Sequence, residues 1–157
     1  MPRRGFTLVE ILIVVILLGI LAAIVIPQFS GVSHESRVSA LLSNLQIIRS
    51  QRQLYKAKHE GAWPDKDLVD QLTKYTDADG ETSDTPDSDH RLGPYLQTWP
   101  ANSISGKSKV KVRKQPNQQF SPPPKDEGWW YNTATGEFRA NLTDQWTYSD
   151  GTPLNQM

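Results

Sequence analysis

A single acidic side chain, Glu10, lies at the start of an otherwise apolar N-terminal stretch. Residues 11–26 are sixteen consecutive apolar or glycine positions, and Met1 to Gly5 before them is short and basic. A carboxylate inside a bilayer costs about 2.5 kcal/mol or more at the centre and less near the edge, so it needs a partner or a role. Two interpretations stay open: the carboxylate pairs with a cation, or it reaches up to the lipid headgroups.

The apolar stretch has the length of a membrane-spanning helix. Residues 6–26 are 21 residues, which at about 1.5 Å per residue match the roughly 30 Å hydrocarbon core. Arg3 and Arg4 precede the stretch and no basic residue follows before Arg37, which predicts a cytoplasmic N-terminus. A cleavable secretory signal should have a shorter apolar region. A twin-arginine export signal would be less hydrophobic. A plain signal anchor would not need an acidic residue such as Glu10.

The motif around the first acid is specific. Gly5-Phe6-Thr7-Leu8-Val9-Glu10, with its basic leader and apolar tail, resembles the prepilin cleavage and methylation motif of the type IV pilin-like family. The resemblance covers roughly the first 60 residues. The segment from Gln46 to Pro64, ending Gly61-Ala62-Trp63-Pro64, is similar to the major (G-type) pseudopilins of type II secretion systems.

This resemblance implies a processing step and an assembly step. A prepilin peptidase would cut between Gly5 and Phe6 and methylate the new Phe6 amine. Glu10 would then pair with the Phe6 amine of a neighbouring subunit. Removing one partner of such a buried pair typically costs about 3–5 kcal/mol, so the pair would fix the register of assembly.

The element that must carry these residues is one long helix from Phe6 to about Lys58, bent near Pro27 because proline removes a helical hydrogen bond. We divide the chain into a leader (1–5), a transmembrane and polymerising half-helix (6–27), an amphipathic half-helix (28–60) and a globular head (61–157). The second half-helix has one apolar stripe at helical spacing: Val38, Leu41, Leu42, Leu45, Ile48 and Tyr55. Basic residues near its end suit the negative end of the helix dipole: Arg49, Arg52, Lys56 and Lys58.

The head is predicted to be α+β with a small antiparallel sheet, as in the pilin-like fold. Residues 65–75 are predicted to form a short second helix, and residues 77–90 an acidic loop. Residues 108–114 alternate like a half-exposed strand, and 128–132 with 137–141 give a hairpin signal.

The sequence argues against catalysis and against nucleic-acid binding. His34 and His59 are 25 residues apart on the predicted helix and cannot meet. No nucleophile, phosphate-loop or zinc-protease motif is present. With 17 basic and 17 acidic residues the net charge is zero, without the basic excess of nucleic-acid-binding proteins. There is no cysteine, so no disulfide supports the head.

Calcium is the one cofactor that the sequence leaves open. Related pseudopilins often bind calcium in a loop of the head, and calcium takes six to eight oxygen ligands. Two acidic segments could supply them: Asp77, Asp79 and Asp84 in the first, Asp144 and Asp150 in the second. The alternatives are a solvated acidic loop and ordinary turn chemistry. The basic strand 107–114 could contact the acidic loop of a neighbouring head, or simply be solvated.

The resemblance implies a structural subunit of a type II secretion pseudopilus. It would be anchored by one span in the bacterial inner membrane, with its head in the periplasm. Its partners would be copies of itself, the prepilin peptidase, minor pseudopilins and the inner-membrane assembly platform. A type IV pilin for adhesion, motility or DNA uptake is the first alternative, and a membrane-anchored binding domain is the second.

Overall fold

The computed structural model describes residues 7–118, 120, 126–148 and 150–157, and for residues 24–33 it describes the backbone but not the side chains. The chain divides into two compact units, Met1–Arg37 and Val38–Met157. Within the residues so described, no helix is both long and apolar enough to cross a membrane.

The predicted long helix is confirmed. Helix α1 comprises Leu8–Lys58, 51 residues, so it ends where the sequence predicted. The predicted first residue, Phe6, lies outside the described residues. The predicted bend near Pro27 depends on a side chain that also lies outside them.

The second half of α1 supplies the centre of the head's core. Val38, Leu41, Leu45, Ile48 and Tyr55 are each 5% exposed or less. Their spacing of three, four and seven residues places them on one helix face. The sequence stripe therefore correctly predicted which face of the helix is buried.

The chain after α1 forms a short helix and a two-stranded ribbon. Helix α2 is Leu68–Thr73, and strands β1 (Tyr75–Thr76) and β2 (Thr82–Ser83) pair antiparallel. The predicted helix was too long at both ends, because Tyr75 belongs to a strand. The predicted loop 77–90 was also wrong at 82–83, where Thr82 pairs with Thr76.

The main sheet has three strands in the order β3-β4-β5: Val110–Arg113, Trp129–Asn132 and Glu137–Ala140. The predicted hairpin β4–β5 is confirmed, with Trp129 opposite Ala140. The expectation of a purely antiparallel sheet was wrong, because β3 pairs parallel with β4. The 15 residues between Arg113 and Trp129 are long enough for the crossover that a parallel pair requires. The α+β class itself is confirmed.

The hairpin fills the remaining core with aromatic rings. Trp129, Trp130 and Tyr131 are fully buried. The Phe138 ring lies 5.5 Å from that of Trp129 and 6.2 Å from that of Tyr131. These contacts lie in the range where aromatic pairs attract each other beyond simple area burial.

Four buried asparagines tie the loops to the sheet. Asn102 Nδ2 donates to the carbonyl of Gly128 at 2.8 Å, and Asn132 Nδ2 donates to that of Gln115 at 2.9 Å. Asn141 Nδ2 donates to Glu127 O at 3.1 Å, and Asn155 Nδ2 donates to Leu142 O at 2.9 Å. Each asparagine is at most 2% exposed. Such bonds satisfy loop backbone groups that would otherwise be buried without partners.

Candidate functional site

The first described turn of α1 is closed by Thr7 and Glu10. The backbone N–H of Thr7 donates to Glu10 Oε2 at 3.3 Å, and the backbone N–H of Glu10 donates to Thr7 Oγ1, also at 3.3 Å. This reciprocal pair is a capping box, which satisfies two otherwise free donors at the start of a helix. Our sequence analysis missed it, although the Thr-x-x-Glu spacing is its signal.

The helix surface after this cap is apolar and exposed all round. The twelve large apolar side chains from Leu8 to Leu21 are each 46–82% exposed. Monomeric soluble proteins rarely expose contiguous apolar patches of more than a few hundred Å², and larger ones mark contacts with lipid or protein. This stretch therefore requires surroundings other than water.

The predicted processing residues, Gly5 and Phe6, lie outside the described residues. Cleavage of the peptide bond between them, and methylation of Phe6, stay predictions. Glu10 is described. Its carboxylate is exposed and is held by Thr7, whose hydroxyl also lies 3.4 Å from Oε2. The helix N-terminus itself favours a negative charge there.

In the head, Arg52 is buried. The sequence predicted only that its charge suits the negative end of the helix dipole, and the side chain is 2% exposed. Its guanidinium lies over the rings of Tyr131 at 4.8 Å and of Trp63 and Phe138 at 5.2 Å. It also donates to the carbonyl of Gly136.

Burial lowers the pKa of Arg52 to about 10 and raises that of Tyr131 to about 12. Arginine therefore stays charged at neutral pH, and Tyr131 stays protonated and donates to Pro64 O at 2.6 Å. The cluster holds the helix, the loop after it and the hairpin together. Arg52 and Tyr131 each donate to a backbone carbonyl, while Nε of Arg52 is buried without a hydrogen-bond partner among the described residues.

The histidines form no catalytic constellation among the described residues. His59 is 3% exposed and stacks on Tyr55 at 3.6 Å. Its Nε2 lies 3.1 Å from Thr76 Oγ1. His90 lies 2.9 Å from the carboxylate of Asp87. Both are engaged in the head itself.

The five calcium candidates are dispersed. Asp77 accepts the backbone N–H groups of Asp79 and Glu81, and Asp84 pairs with Lys74 at 3.1 Å. Asp150 accepts the N–H of Thr152, which lowers the pKa of its carboxyl. Asp144 accepts Asn155 Nδ2 at 2.7 Å. Over the described residues, no group of three or more acidic, histidine or cysteine side chains could hold a metal.

The N-terminal sequence, which includes Thr7 and Glu10, matches a known family motif. Residues 1–26 match the prokaryotic N-terminal methylation motif. The resemblance to the type IV pilin-like family is confirmed. The type II secretion system core protein G of Dickeya chrysanthemi is 37% identical over 54 residues, which are 34% of this chain and 35% of that protein. The protein of the same name from Pseudomonas aeruginosa is 41% identical over 59 residues, 36% of this chain and 42% of that protein.

A type IV pilin also matches. The type IV major pilin protein PilA of Myxococcus xanthus is 37% identical over 93 residues, 59% of this chain and 36% of that protein. No solved structure matches significantly. The chain spans about a third to two-fifths of the length of these relatives. None of the three names denotes an enzyme.

Proposed function

We propose that this chain is a structural subunit of a type II secretion pseudopilus, which polymerises through the first half of α1. The observation that carries the proposal is the run of exposed apolar side chains behind Glu10. In one chain this surface has nothing apolar to contact among the described residues of its own unit. A membrane before assembly, and the same helix of other copies after it, would each cover the surface.

Processing would give Glu10 its partner. Cleavage between Gly5 and Phe6 leaves a cationic amine four residues before the acid. In apolar surroundings a carboxylate and an amine that are brought together are far more favourable than either alone. A Phe6 amine from the neighbouring copy would therefore favour one register of assembly over those that leave a charge unpaired.

The capping box makes this role testable, because the cap and the charge can be separated. Glu10→Gln removes the charge, while a glutamine at this position can still take part in a capping box. Thr7→Val removes the hydroxyl of the cap and keeps the charge of Glu10. If the charge aligns the subunits, Glu10→Gln abolishes filaments and Thr7→Val leaves most of them.

The measurement is filament yield in cells that carry the secretion system, with mass spectrometry of the N-terminus. We expect a methylated Phe6 in the wild type and in both variants. Equal loss of filaments in both variants would assign Glu10 to the cap alone. An intact Met1 in the wild type would instead favour a simple membrane anchor with a binding head.

The second candidate is a type IV pilin of a surface pilus, and the match to a pilin over 59% of the chain favours it. Deletion of the gene distinguishes the two functions. Loss of secreted proteins from the medium with intact surface pili supports the pseudopilus. Loss of surface pili with normal secretion supports the pilin.

We propose that a calcium site, if the head has one, lies at Asp144 and Asn155 rather than in the loop that contains Asp77. Asp77, Asp84, Asp144 and Asp150 all have hydrogen-bond or ion-pair partners. Around Asp144, however, Asn155, which donates to it, and Asn141 carry Oδ1 atoms that are buried and have no hydrogen-bond partner among the described residues. Amide and carboxylate oxygens are ligands that calcium accepts. Asp144 and Asn155 would hold the ion and fix the end of the chain.

A thermal melt with calcium and with chelator tests this proposal. Calcium should raise the melting temperature of the wild type and of Asp79→Asn, and leave that of Asp144→Asn unchanged. The same melting temperature of the wild type in calcium and in chelator would remove calcium from the head.

A further inference from the structure

Opposite charges are segregated on two neighbouring segments of the head. Residues 75–91 contain six acids and one arginine, whereas residues 107–114 contain five basic residues and no acid. The residues between them, 92–106, carry no charge. A chain of zero net charge thus carries one acidic and one basic segment, and patches of opposite charge attract each other when two copies meet.

The basic surface lies at the outer edge of the sheet. Among the described strands, β3 is an outer strand with a partner on one side only. We call Lys109, Lys111, Arg113 and Lys114 the basic edge. Within the described residues none of the four has an ion pair. Lys107 beside them lies 3.8 Å from Asp126.

The backbone of this strand is also available. The carbonyls of Lys109 and Arg113 accept N–H groups on the β4 side. In a parallel ladder alternate residues point both backbone groups to the same neighbour. Val110 and Val112 therefore direct their N–H and C=O groups outward, where no described residue bonds to them. An open edge of this kind is a template for pairing with another chain.

A groove of about 390 Å³ runs beside this edge. Four apolar side chains line it, Leu68 and Val69 from α2 and Val110 and Val112 from β3. Five charged side chains, three acidic and two basic, line it as well: Lys66, Asp67, Asp70, Lys109 and Glu127. Protein contacts combine apolar and polar groups in this way.

The acidic surface is the loop of residues 77–89, which we call the acidic loop. Asp84 and Asp87 have partners within the head, Lys74 and His90. Asp79 and Asp89 are exposed, and no ion pair reaches their carboxylates from any described residue. No described ion pair joins the acidic loop to the basic edge of the same chain. Each surface therefore has charge to offer to another molecule.

We propose that the basic edge of one copy docks on the acidic loop of a second copy. The inference rests on the proposed function, since it names the head-to-head contact of that filament. Because the two surfaces differ, the contact is heterologous. Each copy keeps one free surface of each kind, so the contact can repeat without closing into a dimer.

Disulfide cross-linking tests the pairing in the full chain, which has no native cysteine. With Asp89→Cys and Lys111→Cys in one chain, oxidation of assembled filaments should give a ladder of dimers, trimers and larger species. Either cysteine alone should give monomers. The control carries Lys111→Cys with Thr135→Cys, an exposed position in the hairpin turn, and should also stay monomeric.

Two outcomes would overturn the proposal. One is the absence of a ladder in filaments that form normally. The other is a dimer from Lys111→Cys alone, which would show a contact between identical edges. Filament formation by wild-type chains is measured in the same cells. If no wild-type filament forms, the proposed function fails, whereas normal filaments without a ladder overturn this contact only.

A charge exchange supplies the second test. Lys109→Glu with Lys111→Glu should lower filament yield about ten-fold or more, because like charges would then face each other. Adding Asp79→Lys and Asp89→Lys to the same chain should restore at least about half of the yield, since the attraction is re-formed with its signs exchanged. An unchanged melting temperature of the head in each variant excludes misfolding as the cause. If the variant with all four substitutions does not regain filament yield, the pairing is contradicted.

Discussion

The two halves of helix α1 have the same secondary structure and opposite surroundings. From Leu8 to Leu21 every large apolar side chain is about half exposed or more, whereas from Val38 to Tyr55 the apolar stripe is buried in the head. The first half is apolar on all sides, and the second has polar residues on its outer face. The comparison shows that apolar content alone does not make a core. Among the described residues of each unit, only the half with a patterned stripe is buried within its own unit.

The largest expected effect is the difference between a leucine-to-alanine substitution in the second half of α1 and the same substitution in the first half. Leu41→Ala empties a fully buried position and should cost the head about 2–5 kcal/mol of unfolding free energy. Leu17→Ala, at a position 56% exposed, should leave that free energy unchanged and lower filament yield. Denaturation of detergent-solubilised chain, followed by tryptophan fluorescence, measures the first effect. Equal destabilisation by both would break the comparison.

The next effect concerns the turn that faces the second half of the helix. Gly136 has a φ of 70°, and a Cβ there would lie 2.2 Å from the ring of Trp63. Gly136→Ala should cost roughly 1–3 kcal/mol from backbone strain, with the clash added. Gly106→Ala is the matched control, since its φ is 71° and no atom lies within 4 Å of its Cβ. A greater loss at Gly136 isolates the contact with Trp63, and an equal loss at both would leave that contact without effect.

Arg52 sharpens the comparison from the helix side. Arg52→Met removes the guanidinium from three rings and leaves Gly136 O without this donor, and should cost about 1–3 kcal/mol. Lys58→Met changes an exposed side chain of the same helix and should change stability little. Urea denaturation of the two variants gives the difference. A neutral Arg52→Met would mean that apolar filling alone holds this part of the head.

The smallest effect is the pH dependence of the acidic loop. The backbone N–H of His90, together with its imidazole, lowers the pKa of Asp87 from 3.8 to about 2, and Asp87 in turn raises the pKa of His90 above 6.5. The stabilisation from Asp87 is lost as pH falls through the window from 3.8 to 2, and that from His90 is lost as pH rises past 6.5.

The melting temperature of the wild type should therefore exceed that of His90→Gln most between about pH 4 and 6. Melting curves across this range measure the difference. A difference that grows above pH 8 would contradict the assignment.

Much of the fold could be predicted because its signals are local. The stripe from Val38 to Tyr55 and the hairpin around Gly136 depend on periodicity and turn residues that lie next to each other in the sequence. The parallel pairing of β3 depends instead on how a long connection returns, which no local pattern records. The two-residue strands β1 and β2 are too short to show a period.

Of the functional residues, some could be predicted from the local sequence and others depend on distant contacts. Glu10 is conspicuous because an acid in an apolar run has a cost whatever the fold. For Arg52 the sequence predicted only a favourable charge near the end of the helix dipole, and its burial is visible only from the rings of Trp63, Tyr131 and Phe138 around it. Trp63 follows the helix, whereas Tyr131 and Phe138 face each other in the β4–β5 hairpin, far away in the sequence.

The buried asparagines have a consequence for where and when the head can fold. A disulfide forms only where an oxidant is supplied, and rearranges over minutes to hours. The bonds from Asn102, Asn132, Asn141 and Asn155 to loop carbonyls require no oxidant. The maturation of this head is therefore independent of thiol chemistry. It should proceed equally well in a reducing and in an oxidising compartment.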